Sequence, residues 1–328
     1  MPFLDPDKDS NSTEDDGAQP ASEEVPQEDL TAEVSPDAQG SVQEFMAEAA
    51  QQNEAANAEL GNGGEGAPST GPAAAAQSQP EPYIAFDHVY KSFGSLEVLK
   101  DVSFYVLPGE TLCILGRSGV GKSVSLQILM GFLRADRGEI RVAGENICGF
   151  NEAQLQAIRR KVTMVFQNGA LFDSITVGEN VAFPLRERGD LVEDQIQQVS
   201  KGLLEMVGVA GMEDLLPSDL STGMKRSVAI ARALAARPEA ILYDEPTTMV
   251  DPLMGHLLGD LISKLKRQLH LTSIVVTHDM RFARKLADRV VFLHQGDARF
   301  FGTVEEMDGS EDPVLQEFLS MDELVLPT

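Results

Sequence analysis

A glycine-rich loop that ends in a lysine and a serine carries the clearest chemistry in this sequence. Its residues fit the pattern G-x-x-x-x-G-K-[ST] at every fixed position: Gly116, Arg117, Ser118, Gly119, Val120, Gly121, Lys122 and Ser123. Backbone N–H groups of such a loop form a nest for an anion, and the helix that follows adds its positive N-terminal end. Lys122 reaches the β- and γ-phosphates of a nucleoside triphosphate, and the Ser123 hydroxyl binds Mg²⁺. An ordinary glycine-rich turn is the alternative, but a preceding strand and a following helix favour the phosphate site.

Two adjacent carboxylates follow the apolar run 240–243. Asp244 and Glu245 are therefore predicted at the carboxyl end of a strand, which is where α/β proteins bind their ligands. Asp244 suits the outer coordination layer of Mg²⁺. Glu245 is the better candidate to orient or deprotonate an attacking water, because a general base must stand free of the metal and within reach of that water.

These residues need a scaffold, and the pattern after residue 80 supplies one. Short apolar runs alternate with helical stretches, which is typical of an α/β domain around a largely parallel sheet. Residues from about 168 to 236 are mainly helical and are predicted to form an inserted subdomain. Strands are predicted over 98–106, 111–115, 162–166, 240–243, 273–276 and 290–293, and helices are predicted to begin near residues 121, 152, 192, 222, 252 and 280.

Residues 1–80 have a different composition. They are rich in Asp, Glu, Gln, Ala, Pro, Ser and Gly, with Phe3 and Phe45 as their aromatic residues. Such a segment buries too little apolar area to offset its chain entropy, so we predict a disordered acidic extension. Residues 41–60 favour a transient helix with a thin apolar face. Residues 61–82 are typical of a flexible linker.

Charge and cysteine content exclude several classes of protein. The chain of 328 residues holds 26 Lys and Arg against 52 Asp and Glu, a net charge of 26 − 52 = −26, which argues against a nucleic-acid surface. Cys113 and Cys148 are the two cysteines, so a disulfide scaffold or a cysteine metal site is excluded. No membrane-spanning run and no secretion signal occur, which predicts a cytosolic protein.

A second helix start decides the family. Ser221, Thr222 and Gly223, between Leu220 and Met224, head a helix shortly before the strand of Asp244, and this run resembles the L-S-G-G-Q signature of ABC-type ATPases. Further motifs of that family follow in the same order and spacing: Gln167, the loop from Thr248 to Asp251, and His278. The resemblance covers about 81–328 and implies a P-loop NTPase fold of the ABC nucleotide-binding type.

The resemblance also implies a role for each matching residue. Phe93 is similar to the aromatic residue on which the adenine of ATP stacks, although a lone Phe in a strand is more often part of a core. Gln167 resembles the residue that touches Mg²⁺ and the attacking water, and His278 the one that hydrogen-bonds the γ-phosphate. Ser221, Thr222 and Gly223 are implied to bind the γ-phosphate held by a second copy of the chain, with Asp251 also acting across the dimer. The working unit is therefore expected to be a head-to-tail dimer.

Two positions depart from the signature. Thr222 stands where Gly is usual and Met224 where Gln is usual. Thr brings a branched side chain to a position that could require unusual backbone angles, so either the backbone is ordinary there or turnover is slowed. Glu245 and His278, which inactive sites usually lose, are both present, so hydrolysis of ATP is expected.

The segment 166–187 is the most informative about transport class. It resembles the ATPase subunit of bacterial Mla-type phospholipid transport systems, in which F-Q-x-G-A-L-F and N-V-A-(F/Y)-P-L-R-E recur. This resemblance implies an integral-membrane permease and a lipid-binding protein of the mammalian-cell-entry (MCE) type as partners, with this chain on the inner face of the cytoplasmic membrane. It also implies that the permease docks on residues 167–184.

Three alternatives stay open at this point. One is the ATPase of another ABC importer, for example for amino acids, although those carry F-Q-x-(F/Y)-x-L-F-P-H where this chain has F-Q-N-G-A-L-F. Another is an ABC protein acting on ribosomes or DNA, but the paired domains, coiled coils or zinc insertions of those groups are missing. The third is a P-loop kinase, which would lack the signature at 221–223.

Overall fold

The computed structural model describes residues 36–61 and 80–323. The strands are β1 (Ile84–Phe93), β2 (Leu96–Val106), β3 (Thr111–Leu115), β4 (Arg137–Val142), β5 (Glu145–Asn146), β6 (Val162–Val165), β7 (Ala240–Asp244), β8 (Thr272–Val276), β9 (Arg289–His294) and β10 (Asp297–Thr303). The helices are α1 (Pro36–Gly61), α2 (Lys122–Leu129), α3 (Glu152–Lys161), α4 (Val177–Arg188), α5 (Glu193–Met206), α6 (Thr222–Ala235), α7 (Pro252–Leu269), α8 (Met280–Leu286), α9 (Val304–Asp308) and α10 (Pro313–Glu323). Every predicted strand and helix start has its counterpart among them.

A six-stranded sheet in the order β10-β9-β3-β8-β7-β6 forms the centre of the domain. Its strands pair in parallel except for the edge hairpin of β9 and β10. Every residue of β3, β7 and β8 is buried, as expected for parallel strands that are covered on both faces. Because these strands run in one direction, their carboxyl ends bring the phosphate loop, Asp244 with Glu245, and His278 to the same edge.

A second sheet, in the order β2-β1-β4-β5, is wholly antiparallel. The sequence predicts one of its strands, 98–106, but not this separate sheet. It covers one face of the central sheet, where Leu112 and Ile114 of β3 belong to the same buried cluster as Phe86 and Phe104. Cys113 and Leu115, which alternate with them along the strand, belong to the other cluster, which contains the residues of α4 to α7.

Helices α4, α5 and α6 lie between β6 and β7, within the predicted limits 168–236. Helix α6 has its middle and its last turns almost wholly buried, including Val228, Ile230 and Ala231. It packs against α4 and reaches back to β6, so it joins the helical layer to the central sheet. The signature residues at its start and the strand β7 after its end are thereby held by one rigid element.

Part of the segment predicted to be disordered is an ordered helix. Helix α1 has 26 residues and buries Val42, Phe45, Met46, Ala49 and Asn53 against the domain. These positions follow the spacing i, i+3, i+4, i+7 and i+11, which gives a narrow stripe on one face. The prediction of disorder is therefore wrong for 42–61: where the sequence favours a transient helix over 41–60, the structure has a packed one, because the domain supplies a surface that the composition of the segment could not reveal. The same prediction also covers residues 1–35 and 62–79, which lie outside the described residues.

Candidate functional site

The loop between β3 and α2 has a backbone that its glycines make possible. Gly116, Gly119 and Gly121 have positive φ angles of 147°, 81° and 105°. A Cβ on Gly116 would lie 2.4 Å from the backbone carbonyl oxygen of Leu293, so the side chain of any other residue would collide with β9. Gly121 precedes α2 and makes no side-chain cap. The first N–H groups of α2 therefore meet no capping side chain, as an anion site at a helix start requires.

Lys122 is buried, with 5% of its side chain exposed, and it folds back over its own loop. Its Nζ donates to the carbonyl oxygens of Gly116 at 2.8 Å and Arg117 at 3.1 Å. The same Nζ lies 3.2 Å from Oε1 of Glu245. An ammonium held by weak carbonyl acceptors and one carboxylate, beside a nest of N–H groups, is placed to bind phosphate oxygens.

Ser123 and Asp244 face each other across the loop and β7. The Ser123 hydroxyl donates to Oδ1 of Asp244 at 2.8 Å. Burial raises the pKa of the Asp244 carboxyl above its ordinary value, since taking the carboxylate out of water disfavours its charge. A hydroxyl and a buried carboxylate are hard oxygen donors of the kind that Mg²⁺ prefers, so these two residues fit the ion that the sequence predicts.

Glu245 stands at the centre of the site. Its Oε2 lies 2.6 Å from Nδ1 of His278 and accepts a hydrogen bond from the Thr248 hydroxyl at 3.1 Å. Its backbone N–H donates to the carbonyl of Val276 at 2.9 Å, and its φ is +48°. A positive φ is uncommon for a residue with a side chain and is typical of positions that the surrounding structure must hold. The strand end thus turns the carboxylate toward Lys122 and His278.

An open cleft of about 670 Å³ lies over these residues. The structure brings together in its lining the following predicted residues: Arg117, Ser118, Gly119, Gly121, Lys122, Ser123, Gln167, Glu245 and His278. Its volume lies in the usual range for a small-molecule or cofactor site. Gln167 lies just after β6, and it joins the cleft from the side of the helical subdomain.

Phe93 is not part of this lining. It is the last residue of β1, and 46% of it is exposed. At this exposure Phe93 is not a core residue either, and its ring faces the Nζ of Lys91, which lies 5.3 Å from the ring centre. Val98 of β2 lines the cleft on this side. The role of Phe93 as the adenine platform stays a prediction.

The signature residues lie outside the cleft lining. Ser221 caps α6 by accepting from the backbone N–H of Met224 at 3.3 Å, and Thr222 is the first helical residue. The backbone of Thr222 therefore has ordinary helical geometry, which resolves the question raised by the missing glycine. Asp251 caps α7 in the same way, by accepting from the N–H of Met254 at 3.0 Å. Both caps are exposed to solvent, so a second molecule can reach them.

Two arginines of α6, which are not among the predicted site residues, hold the loop that contains Gln167. Arg226 donates to the carbonyl of Phe166 at 3.1 Å and to that of Thr248 at 3.4 Å. Arg232 donates to the carbonyls of Gly169 at 3.1 Å and Ala170 at 2.8 Å. Burial lowers the pKa of both guanidinium groups. A charged residue on the buried face of a predicted helix was the available signal.

The last described helix also reaches the cleft. Phe318 of α10 lines it and packs on Phe292 with ring centres 4.9 Å apart. Glu317 accepts from Arg117 of the phosphate loop at 2.8 Å. Nothing in the sequence indicates a site role for α10, because only the folded chain brings residues 200 positions apart into contact.

This arrangement defines a class of protein. A phosphate loop with its lysine and serine, a strand that ends in Asp-Glu and a histidine opposite the glutamate form the site of a nucleoside triphosphatase with a parallel α/β core. Such a site can bind the triphosphate and direct a water at its last phosphorus atom. Within residues 36–61 and 80–323, none of the helices combines the length and the apolar character of a membrane-spanning segment.

Comparisons with known proteins specify the family. Residues 99–248 match the family model described as ABC transporter. The chain is 39% identical over 251 residues to the protein TRIGALACTOSYLDIACYLGLYCEROL 3 of Arabidopsis thaliana, covering 70% of this chain and 71% of that protein. It is 38% identical to the intermembrane phospholipid transport system ATP-binding protein MlaF of Haemophilus influenzae, covering 69% of this chain and 86% of that protein. Methionine import ATP-binding proteins of two Rhizobium species are similarly related, at 40% and 41% identity, but the chain covers only 61% and 62% of their lengths.

Solved structures agree with these relatives. The dimeric structure of the ATP-binding cassette MJ0796 bound to ADP and Pi matches with a TM-score of 0.63 and 31% identity, over 67% of this chain and 98% of that one. The chain belongs to the ABC transporter family. It is an ATP-binding subunit of such a transporter, and it hydrolyses ATP.

Proposed function

We propose that this ATPase supplies the energy for phospholipid transport between membranes, together with an Mla-type permease and an MCE-type lipid-binding protein. The observation that carries the substrate class is the relation to the intermembrane phospholipid transport ATPase, of which the chain covers 86%. The coverage of the methionine import proteins is lower, at 61% and 62%. The name of the Arabidopsis relative also refers to a glycerolipid.

The site residues suggest how ATP is bound and hydrolysed. Lys122 exchanges its carbonyl partners and Glu245 for the β- and γ-phosphates. Ser123, Asp244 and Gln167 would hold Mg²⁺, which when bound neutralises charge on the phosphates. Glu245 accepts the proton of the attacking water, because its carboxylate is the one that faces the cleft without pairing with Ser123. His278 orients Glu245 through the contact at 2.6 Å and donates toward the γ-phosphate.

The complete site is proposed to require two copies of the chain. Ser221, Thr222 and Asp251 are exposed at two helix starts, away from the cleft lining. Met249 and Leu253, on either side of Asp251, are 85% and 68% exposed. Large apolar residues at such exposure favour a protein partner. A head-to-tail dimer would cover them and bring 221–223 of one copy to the ATP of the other.

The permease is proposed to dock on the segment that follows Gln167. Phe172 and Phe183 are 45% and 43% exposed, and their rings meet edge to face with centres 5.3 Å apart. An exposed aromatic pair is a common centre of a protein interface. Because Arg232 holds Gly169 and Ala170, movement of this pair is linked to the loop of Gln167. Docking here would place the chain on the inner face of the cytoplasmic membrane.

The test is purification of Glu245→Gln, with ATP and Mg²⁺, from detergent-solubilised membranes of the native host. We expect mass spectrometry to identify a multi-span permease and an MCE-type protein, and the added substitution Phe172→Ala to reduce both. The matched control is Val192→Ala, a large apolar residue that is 65% exposed elsewhere in the helical subdomain. Recovery of an amino-acid permease would replace the lipid proposal by an amino-acid importer. Absence of any membrane protein would contradict both.

A further inference from the structure

Helix α1 lies on a surface that joins two parts of the ATPase. It packs against α5 of the helical subdomain and against α7, which follows the catalytic strand β7. Its buried stripe belongs to the same cluster as Ile196 and Val199 of α5 and Leu269 at the end of α7. The helix lies outside the residues 99–248 that match the family model. It is therefore an addition to the ATPase fold that bridges two of its helices.

Polar contacts fix the register of α1 on this surface. Asn53 is 1% exposed, and its Nδ2 donates to the carbonyl oxygen of Leu269 at 2.8 Å. Asn57 donates in the same way to the carbonyl of His270 at 3.2 Å. These carbonyls lie at the C-terminal end of α7, where the last carbonyl groups of a helix have no hydrogen-bond partner within the helix. The side chains of α1 thus cap the C-terminus of α7.

Arg237 binds the N-terminal half of α1. Its guanidinium carbon lies 4.1 Å from the centre of the Phe45 ring, and its Nη2 lies 2.7 Å from Oε2 of Glu48. Only 10% of the Arg237 side chain is exposed. The residue stands between the end of α6 and the start of β7, the strand that carries Asp244. An aromatic ring and a carboxylate one turn apart are groups that bind a largely buried guanidinium.

The composition of α1 explains why the helix can both dock on this surface and leave it. α1 contains Asp37, Glu44, Glu48, Glu54 and Glu59 and no Lys or Arg, so its charge is complementary to Arg237. Its apolar stripe is narrow, and a helix of this kind is only marginally stable in water without a surface to pack on. Docking and helix formation are therefore expected to be coupled, and because α1 is tethered to the domain the docking is intramolecular.

We propose that the face formed by α5, Arg237 and the C-terminus of α7 is a docking surface for an acidic amphipathic helix. Helix α1 of the same chain is the occupant, and when docked it lowers basal ATP hydrolysis by holding α5 and α7 in one relative position. The restraint reaches the reaction machinery through two elements. Arg237 precedes the strand of Asp244, and α7, which α1 contacts at its C-terminal end, begins at its other end next to Asp251. This goes beyond the proposed transport function and requires only the ATPase activity.

The experiment uses the full chain with Phe45→Lys, which removes the buried ring and places a like charge against the Arg237 guanidinium. The matched control is Gln51→Lys, which adds the same charge on the exposed side of the same helix. For Phe45→Lys we expect faster hydrogen exchange of α1 and α5 amides and a basal ATPase rate raised about fivefold or more, the usual size of a coupling between two sites. For Gln51→Lys we expect neither change. Arg237→Gln tests the same contact from the domain side and should reproduce the effect.

Three results would overturn the proposal. Unchanged exchange of α1 in Phe45→Lys would mean that this contact does not hold the helix. Faster exchange with an unchanged ATPase rate, in both variants, would reduce α1 to a structural addition. Protection of α1 that rises with protein concentration would show that the occupant comes from a second copy. A cooperative thermal transition of each variant verifies that the domain is folded, and none of these outcomes depends on a lipid or a permease.

Discussion

Replacing Glu245 by Gln tests the centre of the proposed mechanism with a minimal change of shape. The amide keeps an oxygen that can accept from Thr248 at the present 3.1 Å and a group that can meet His278 Nδ1. It cannot accept a proton from water, and it no longer carries the charge that lies 3.2 Å from Lys122. The substitution therefore removes the base while leaving the cleft and the phosphate loop in place.

The magnitude follows from the role assigned to this carboxylate. A positioned general base contributes about 10²–10⁴ in rate, so we expect kcat to fall by about 10²–10³, or about 3–4 kcal/mol of barrier. ATP affinity is expected to be retained or to increase, because a negative charge beside the γ-phosphate is lost and Lys122 is released for it. Tightly bound ATP should then drive the chain into a stable dimer.

Three measurements check this expectation on the same protein. Single-turnover hydrolysis gives the chemical rate, calorimetry gives ATP affinity, and light scattering with ATP gives the oligomeric state. Thr248→Val is the control, since it removes one hydrogen bond to Glu245 and should lower the rate less than about tenfold. A Glu245→Gln variant that hydrolyses ATP within tenfold of the unmodified chain would refute Glu245 as the base. Lost ATP binding would instead show that its contact with Lys122 holds the loop together.

The remaining predictions concern the residues around this base. Asp244→Asn should abolish Mg²⁺-dependent hydrolysis. The same substitution should stabilise the nucleotide-free protein at pH 7, because a buried charge is removed, and its melting temperature should rise by about 2–4 °C for each kcal/mol gained in unfolding free energy. The raised pKa of Asp244 means that the folded state binds the proton of this carboxyl more tightly than the unfolded state does. The contribution of Asp244 to stability therefore falls as pH rises above the ordinary pKa of 3.8. Asp244→Asn should flatten that part of the plot of stability against pH. Gly116→Ala should destabilise the protein by about 1–3 kcal/mol more than Gly119→Ala, since the first Cβ would meet a backbone oxygen at 2.4 Å and the second meets nothing within 4 Å. Arg226→Met removes the side-chain donor of the Thr248 carbonyl and one of the two donors of the Phe166 carbonyl, which keeps the N–H of Gly169, and should cost about 1–3 kcal/mol in unfolding free energy, with a lower kcat at unchanged KM for ATP.

Each of these predictions can be checked by its own measurement. Calorimetric melting between pH 4 and 8 gives the Asp244 profile, and an unchanged slope in Asp244→Asn would assign the pH dependence to other carboxyls. Equal stability of the two alanine variants would show that β9 yields to the added methyl group. Arg226→Lys keeps one donor and should recover part of the kcat, whereas equal loss in the Lys and Met variants would mean that Arg226 only supports folding.

Much of the central site was predictable because its chemistry lies in short, local patterns. The loop from Gly116 to Ser123 needs glycines at fixed places, and the structure gives three of them positive φ angles. Asp244 and Glu245 follow a wholly apolar strand, and parallel strands deliver their ends to one edge of the sheet. The position of His278 after β8 follows the same rule. Local sequence therefore determined which residues stand at strand ends, whereas the order β3-β8-β7 that makes those ends neighbours comes from the folded sheet.

Contacts between distant segments were decided by the tertiary structure alone. The acidic composition of 36–61 predicts disorder, but the face of α5 and α7 gives its narrow stripe a surface to cover. Arg226 and Arg232 are ordinary helix residues in the sequence, and only folding places backbone carbonyls of the Gln167 loop within their reach. Phe318, for which the sequence indicated no site role, lines the cleft because α10 returns to it, whereas Phe93 ends β1 outside the lining. Periodicity specifies which face of an element is apolar, whereas the partner of that face is set by packing across the whole chain.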